Sequence, residues 1–173
     1  MTPGVPVKPM LAFPTKSMSQ VLDRFENVPF TCEYKYDGER AQIHRLPDGK
    51  MMIFSRNSEN MTQKYPDILE QIIPEALIDT TSSFVIDSEV VAFDPNTKKL
   101  LPFQILSTRK RKDVSTDSVQ VQVCLFAFDL LYFNGASLLQ TPLIERRQKL
   151  HELFKETETL HFAKSLDTTS IDE

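Results

Sequence analysis

Two long runs of strand-forming residues, 84–93 and 121–133, constrain this chain more than any other feature in it. Both are dense in Val, Ile, Leu and Phe, and Asn134-Gly135 closes the second with turn chemistry. Neither run crosses a membrane, because the longer one is interrupted by Gln122 and Asp129 and falls short of the about 20 apolar residues a spanning helix needs. Shorter strands are expected over residues 30–35, 40–46 and 51–55, the last two joined by a hairpin turn at Pro47-Asp48-Gly49-Lys50. A further short strand is expected over 161–165. Met18, Val21, Leu22 and Phe25 recur at helical spacing behind Ser17 or Ser19 and predict a helix that packs on a sheet. Thr141-Pro142 opens a second helix, with Leu143, Leu150, Leu153 and Phe154 as its apolar stripe. The expected class is α/β (α+β), with antiparallel sheets flanked by helices and a pocket between them.

The ends of the chain read differently. Pro3, Pro6, Pro9 and Pro14 make residues 1–16 an extended arm, since each proline removes a backbone donor and fixes φ. Ser170-Ile171-Asp172-Glu173 has the capping-box pattern that precedes a helix, but no apolar run follows it. Residues 1–173 therefore read as one domain, incomplete at its C-terminus.

Composition narrows the function classes. With 40% hydrophobic and 25% charged residues the chain has enough apolar content for a core, which excludes a disordered segment. Met1-Thr2-Pro3-Gly4 begins no secretory signal, so an intracellular protein is expected, with Cys32 and Cys124 as reduced core thiols. The three histidines His44, His151 and His161 lie too far apart for metal-ligand spacing and read as ordinary strand or helix residues. A net charge of −4 excludes binding nucleic acid with the whole surface, so any such role is local. The one dense basic run is Arg109-Lys110-Arg111-Lys112, preceded by Lys98 and Lys99. By itself it reads equally as a solvated loop or as a contact to a nucleic-acid backbone, which would involve Arg109 and Arg111.

The segment with most chemistry is Glu33-Tyr34-Lys35-Tyr36-Asp37-Gly38-Glu39-Arg40, at the end of an expected strand. Alternation along a strand aims Glu33 and Lys35 to the same side. A carboxylate and an amine in one pocket, followed by a glycine that admits close backbone approach, suit nucleotide chemistry. Taken alone, the segment reads as readily as a strand ending in an Asp-Gly turn with a solvated lysine.

Lys35-Tyr36-Asp37-Gly38 resembles the lysine motif of the covalent nucleotidyltransferases, the superfamily of ATP-dependent DNA ligases, RNA ligases and mRNA-capping guanylyltransferases. Further segments follow in the family's order. Phe54-Ser55-Arg56-Asn57 is similar to its second nucleotide-contacting segment, Asp87-Ser88-Glu89 to its third, and Ala127-Phe128-Asp129-Leu130 to its adenine-stacking strand. Lys8-Pro9-Met10-Leu11-Ala12, Lys64-Tyr65-Pro66-Asp67 and Pro102-Phe103-Gln104 resemble the replicative eukaryotic type of DNA ligase. The resemblance implies a nucleotidyltransferase (ATP-grasp-like) adenylation domain using ATP and Mg²⁺, with Lys35 as the nucleophile that takes AMP.

Other roles follow from the same resemblance. Glu33 meets the adenine amino group, Arg40 the ribose region, and Arg56 phosphate, including the 5′-phosphate of a nick. Phe128 stacks on adenine, and Glu89 meets ribose or the metal. Phe126 and Leu130 keep a core reading, and Tyr34 and Tyr36 a structural one. The implied partner is nicked double-stranded DNA, and the implied setting is the nucleus, in replication, repair and recombination, as a monomer without membrane attachment. The family's later metal-binding carboxylate and phosphate-gripping lysines have no counterpart in this sequence, nor have the DNA-binding and oligonucleotide-binding domains. A chain of this extent is thus expected to be inactive or weakly active alone. Two alternatives stay open at this point: an RNA ligase or capping guanylyltransferase, and an inert fragment that only binds nucleotide.

Overall fold

The structure, a computed structural model, describes residues 1–26, 28–110 and 114–169. In chain order its elements are α1 (Met18–Phe25), β1 (Phe30–Glu33), β2 (Glu39–Arg45), β3 (Met51–Phe54), α2 (Ile73–Ala76), β4 (Phe84–Asp94), β5 (Lys99–Leu100), α3 (Phe103–Ser107), β6 (Val123–Phe133), β7 (Ala136–Ser137), α4 (Leu143–Leu153), β8 (Leu160–Phe162) and β9 (Ser165–Thr168). Two compact units result. The larger comprises Met1–Lys8 and Tyr36–Phe162, and the smaller comprises Pro9–Lys35 and the chain from Ala163 onward.

The larger unit is built on a seven-stranded sheet with the order β3-β2-β4-β6-β7, to which β5 adds on β4 and β8 on β6. Every pairing is antiparallel except that of β6 with β8. The β2–β3 hairpin turns where the sequence puts Asp48-Gly49, and Gly49 takes φ +86°, a left-handed conformation that glycine adopts without a steric penalty. Alternation then assigns one face of the sheet to the core: Ala41 and Ile43 of β2, Ile86 and Val90 of β4, and Leu125 and Leu130 of β6 are wholly buried. They pack with Ile73 and Ala76 of α2 and with Leu150 and Leu153 of α4. Each of the isoleucine, leucine and valine side chains contributes roughly 1.5–3 kcal/mol by leaving water. The Leu150 and Leu153 stripe legible in the sequence is therefore what seats α4.

Register arranges the opposite face in rows. Arg40, Glu89 and Phe126 stand side by side, followed by Gln42, Asp87 and Asp129, then His44, Val85 and Tyr132. The strands β4 and β6 slip past each other twice, between Val85 and Ile86 and between Asp87 and Ser88. At the second slip Asp87 faces Asp129 while Ser88 faces Ala127, so Phe128 is the extra residue of a β-bulge; at the first, Leu131 is. The N-terminal arm is held to the last two rows: the Gly4 amide donates to His44 Nδ1 at 2.9 Å and the Val7 amide to Gln42 Oε1 at 2.9 Å.

In the smaller unit β1 and β9 form a two-stranded antiparallel ladder, extended by the Tyr34 amide donating to the Lys164 carbonyl. Phe25 stacks on Phe30 with ring centroids 5.1 Å apart. Several expectations are corrected here. The α1 helix forms over the expected residues, yet none of them is buried, so the apolar face does not pack as a core helix. Strand β1 stops at Glu33, which leaves Lys35 outside the alternation that would aim it with Glu33. The single strand expected over 161–165 is two, β8 and β9, belonging to different sheets. Cys124 is buried, and burial pushes its thiol up to about 11, whereas Cys32 is exposed and is not a core thiol. The capping-box residues 170–173 lie outside the described residues.

Candidate active site

Lys35 is exposed at the point where the chain passes from the smaller unit to the larger one, and each of the five residues after it is bonded to or packed against the larger unit. The Tyr36 ring stacks on Phe126 of β6, with centroids 3.8 Å apart and planes 16° from parallel. Asp37 accepts the amide of Phe103 at the start of α3, at 3.2 Å. Gly38 lies against β4 so closely that a Cβ there would stand 2.1 Å from the Val90 carbonyl oxygen, an approach open only to glycine. Glu39 accepts from Lys64 Nζ at 2.5 Å and from the Tyr65 hydroxyl. Burial, reinforced by the Glu39 charge, pushes the Tyr65 phenol far up and keeps it a neutral donor.

Arg40 makes the fifth attachment. Its Nε donates to Asp87 Oδ1 at 2.9 Å and its Nη2 to Asp87 Oδ2, a bidentate fork, while the guanidinium lies 5.7 Å from the centre of the Phe128 ring. Burial pushes the Asp87 carboxyl upward, more than the Arg40 hydrogen bond and charge pull it back, and the same hydrogen bond raises the guanidinium. Glu89 stands beside Arg40 in the register and adds to the field that holds the guanidinium charged. Across the ladder from Asp87, Asp129 is gripped by Arg146 of α4, Nε to Oδ1 at 2.7 Å and Nη2 to Oδ2 at 2.9 Å. A third Arg146 donor binds the Thr141 carbonyl at 2.5 Å.

The structure thus brings together Arg40, Glu89 and Phe128 on one sheet face of the larger unit. Glu33 lies exposed in β1 of the smaller unit. Arg56 is exposed in a tight loop that Ser55 organises, its hydroxyl accepting the amides of Asn57 and Glu59. Arg109 corrects an expectation. It is 6% exposed, not on a DNA-facing surface, with Nη2 2.5 Å from Asp67 Oδ1 and its guanidinium 4.8 Å from the centre of the Tyr65 ring. The cause is the short helix α3, which turns Arg109 inward onto a buried carboxylate. Arg111 lies outside the described residues. Among the described residues no three His, Cys, Asp or Glu side chains form a cluster able to hold a metal by themselves.

The structural reading of Tyr36 agrees with its stack on Phe126, whereas the sequence reading gave no role to Arg146 and none to Asp129 beyond its place in the motif. Asp129 was visible as an acid inside an apolar strand, but its partner is 17 residues away on a helix whose placement only the fold supplies.

The family model of the ATP-dependent DNA ligase domain matches residues 9–173. The chain is similar to DNA ligase 1 of Schizosaccharomyces pombe, with 54% identity over 173 residues, covering 99% of this chain and 22% of that protein. Against DNA ligase 1 of Dictyostelium discoideum the identity is 59% over 151 residues, 87% of this chain and 13% of that protein. The chain therefore spans less than a quarter of the length of these two relatives. Among solved structures, the ligase domain from M. tuberculosis LigD is similar with a TM-score of 0.58 at 25% identity, over 80% of this chain and 40% of that one.

Proposed function

Because the chain belongs to the ATP-dependent DNA ligase domain family, we propose that it is the part of a DNA ligase that takes AMP from ATP onto Lys35. The neutral Lys35 amine attacks the α-phosphorus of ATP. An N–P bond forms as the α–β P–O bond breaks, pyrophosphate leaves with the electron pair, and the amine's proton passes to solvent. AMP then passes to the 5′-phosphate of a nick in double-stranded DNA, and the 3′-hydroxyl displaces it to close the backbone.

The observation that carries this reading is the fivefold attachment of residues 36–40, which fixes the chain directly after the nucleophile. A nucleophile gains most from being held in a near-attack geometry. Phe128 offers an aromatic face for adenine, Arg40 a planar donor fork for ribose oxygens, and Glu33 an acceptor for the adenine amino group that would repel the guanine carbonyl. Arg56, exposed and on a loop that Ser55 ties by hydrogen bonds, suits phosphate. Mg²⁺, when bound, neutralises charge on the transferring phosphoryl group. Glu89 is the carboxylate that would hold it, and the lack of a preformed cluster among the described residues fits an ion bound by one or two carboxylates together with substrate phosphates and water. A nuclear setting and roles in replication, repair and recombination are supported by the eukaryotic sources of the relatives, and no described helix is long and apolar enough to cross a membrane.

The test is incubation of the full-length protein with α-labelled ATP or GTP and Mg²⁺, beside a Lys35→Ala variant. Acid-stable label from ATP that disappears with Lys35→Ala is the expected result. Label from GTP would move the protein to the capping class, and binding without label would leave an inert nucleotide-binding segment.

A further inference from the structure

Asp87 and Asp129 are directly paired across β4 and β6 at the bulge that carries Phe128. Two like charges opposite each other in a ladder repel, and here the first is 4% and the second 17% exposed, so water screens them poorly. Each has its own arginine, and the two arginines come from different places: Arg40 from the neighbouring strand β2, Arg146 from α4. The result is a row of four charges, Arg40, Asp87, Asp129 and Arg146, positive at both ends and negative in the middle. Asp129 is felt at the far end of it, raising both the Asp87 carboxyl and the Arg40 guanidinium. Arg40 is thus in the field of a second carboxylate that it does not bind; that carboxylate is engaged on both oxygens by Arg146 and on Oδ1 also by the Leu130 amide.

We infer that Arg146 is a positioning residue for nucleotide binding: by occupying Asp129 it leaves the Arg40 guanidinium to Asp87 and to the face of Phe128. Without Arg146, Asp129 loses its arginine and becomes a competing acceptor on the next position of the ladder. Arg40 then divides between two carboxylates, and its alignment over Phe128 at 5.7 Å is lost. Arg146 itself is well placed to act only through Asp129, since its third donor is tied to the Thr141 carbonyl. The relevant quantity is the charge of Asp129, not the packing of α4, whose seat is Leu150 and Leu153.

This inference rests on Arg40 being a nucleotide contact, and the experiment separates the two. In the full-length protein, self-adenylylation is measured as a function of ATP concentration for Arg40→Gln, Arg146→Gln and the double variant Arg146→Gln/Asp129→Asn, with thermal unfolding of each. Arg146→Gln is expected to raise KM for ATP about tenfold while kcat changes little, the pattern of lost binding as opposed to lost chemistry. Removing the Asp129 charge in the double variant is expected to return KM to within about twofold of the unsubstituted protein, a rescue that a merely structural role of Arg146 would not give. A KM that rises in Arg40→Gln but stays unchanged in Arg146→Gln, or that the double variant fails to restore, overturns the inference and leaves the reading of Arg40 standing. An unchanged KM in Arg40→Gln overturns both. If Arg146→Gln alone does not fold, a folded double variant with near-normal KM still supports the inference, and one with the KM of Arg40→Gln overturns it.

Discussion

Tyr36 lies flat on Phe126 at 3.8 Å, and the residue before it in the chain is the candidate nucleophile Lys35. His161 continues the stack on Phe126, with centroids 5.6 Å apart, so the ring under Tyr36 is itself confined. An aromatic pair of this kind contributes about 0.5–1.5 kcal/mol beyond the area it buries. Tyr36→Ala is expected to lower the rate of self-adenylylation several-fold, and Tyr36→Phe, which keeps the ring, to leave it near normal. Single-turnover labelling with ATP measures both; equal rates in the two variants would detach the stack from the chemistry.

Gly38→Ala places a Cβ 2.1 Å from the Val90 carbonyl oxygen and 2.9 Å from its carbon. Val90 is wholly buried in the middle of β4, where backbone cannot retreat. The expected cost is about 2–3 kcal/mol of folding stability. Urea unfolding of the variant beside the unsubstituted protein reads it directly, and a difference below the error of the midpoint would mean that the 36–40 segment is more yielding than its attachments imply.

His44 is fully buried, accepts the Gly4 amide on Nδ1 and has Nε2 2.9 Å from Gln42 Oε1, so the neutral ring with the proton on Nε2 satisfies both contacts. Burial lowers its pKa from 6.5 to about 4. The folded state therefore binds fewer protons than the unfolded one between those values. The stability from this site is complete above about pH 6.5 and falls as pH drops towards 4, by about 3 kcal/mol in all. Unfolding midpoints at pH 7, 5.5 and 4.5 are expected to converge between the unsubstituted protein and His44→Gln; a constant difference across that range would contradict the assignment.

Arg109→Gln leaves Asp67 buried without its charged partner, which is expected to cost about 3–5 kcal/mol. Arg109→Lys keeps the charge and is expected to cost less. For a folded Arg109→Gln/Asp67→Asn double variant, which removes the charge together with its buried partner, the salt dependence of DNA binding is expected to match that of the unsubstituted protein, because a side chain turned onto Asp67 displaces no counterions from DNA. A slope reduced by about one unit would instead place the residue against a phosphate.

Periodicity and turn chemistry made most of the larger sheet legible: β2, β3, β4, β6 and the Leu150 and Leu153 stripe of α4 depend on local patterns that tertiary packing reinforces. The misses share a physical cause. Arg109 looked like part of a solvated basic run because charge density is local, whereas its partner Asp67 is 42 residues away. Lys35 and Glu33 appeared to share a strand face because alternation carries no information about where a strand stops, and β1 ends at Glu33. Phe128 looked like one more alternating core residue; motif resemblance singled it out, and the bulge gives the structural reason it differs from Phe126. Short α3 was missed because five residues show little helical period, yet it is what carries Asp37's partner at one end and ends beside Arg109 at the other.

The bulge also separates two demands usually made on the same residue. In the ladder of β4 with β6, Asp87 finds Asp129 and Ser88 finds Ala127, and no position of β4 is assigned to Phe128. The pairs on either side of it are complete without it. Phe128 is a supernumerary in its own strand: it answers to no partner across the ladder, and its ring beside Arg40 is aimed by the bulge alone.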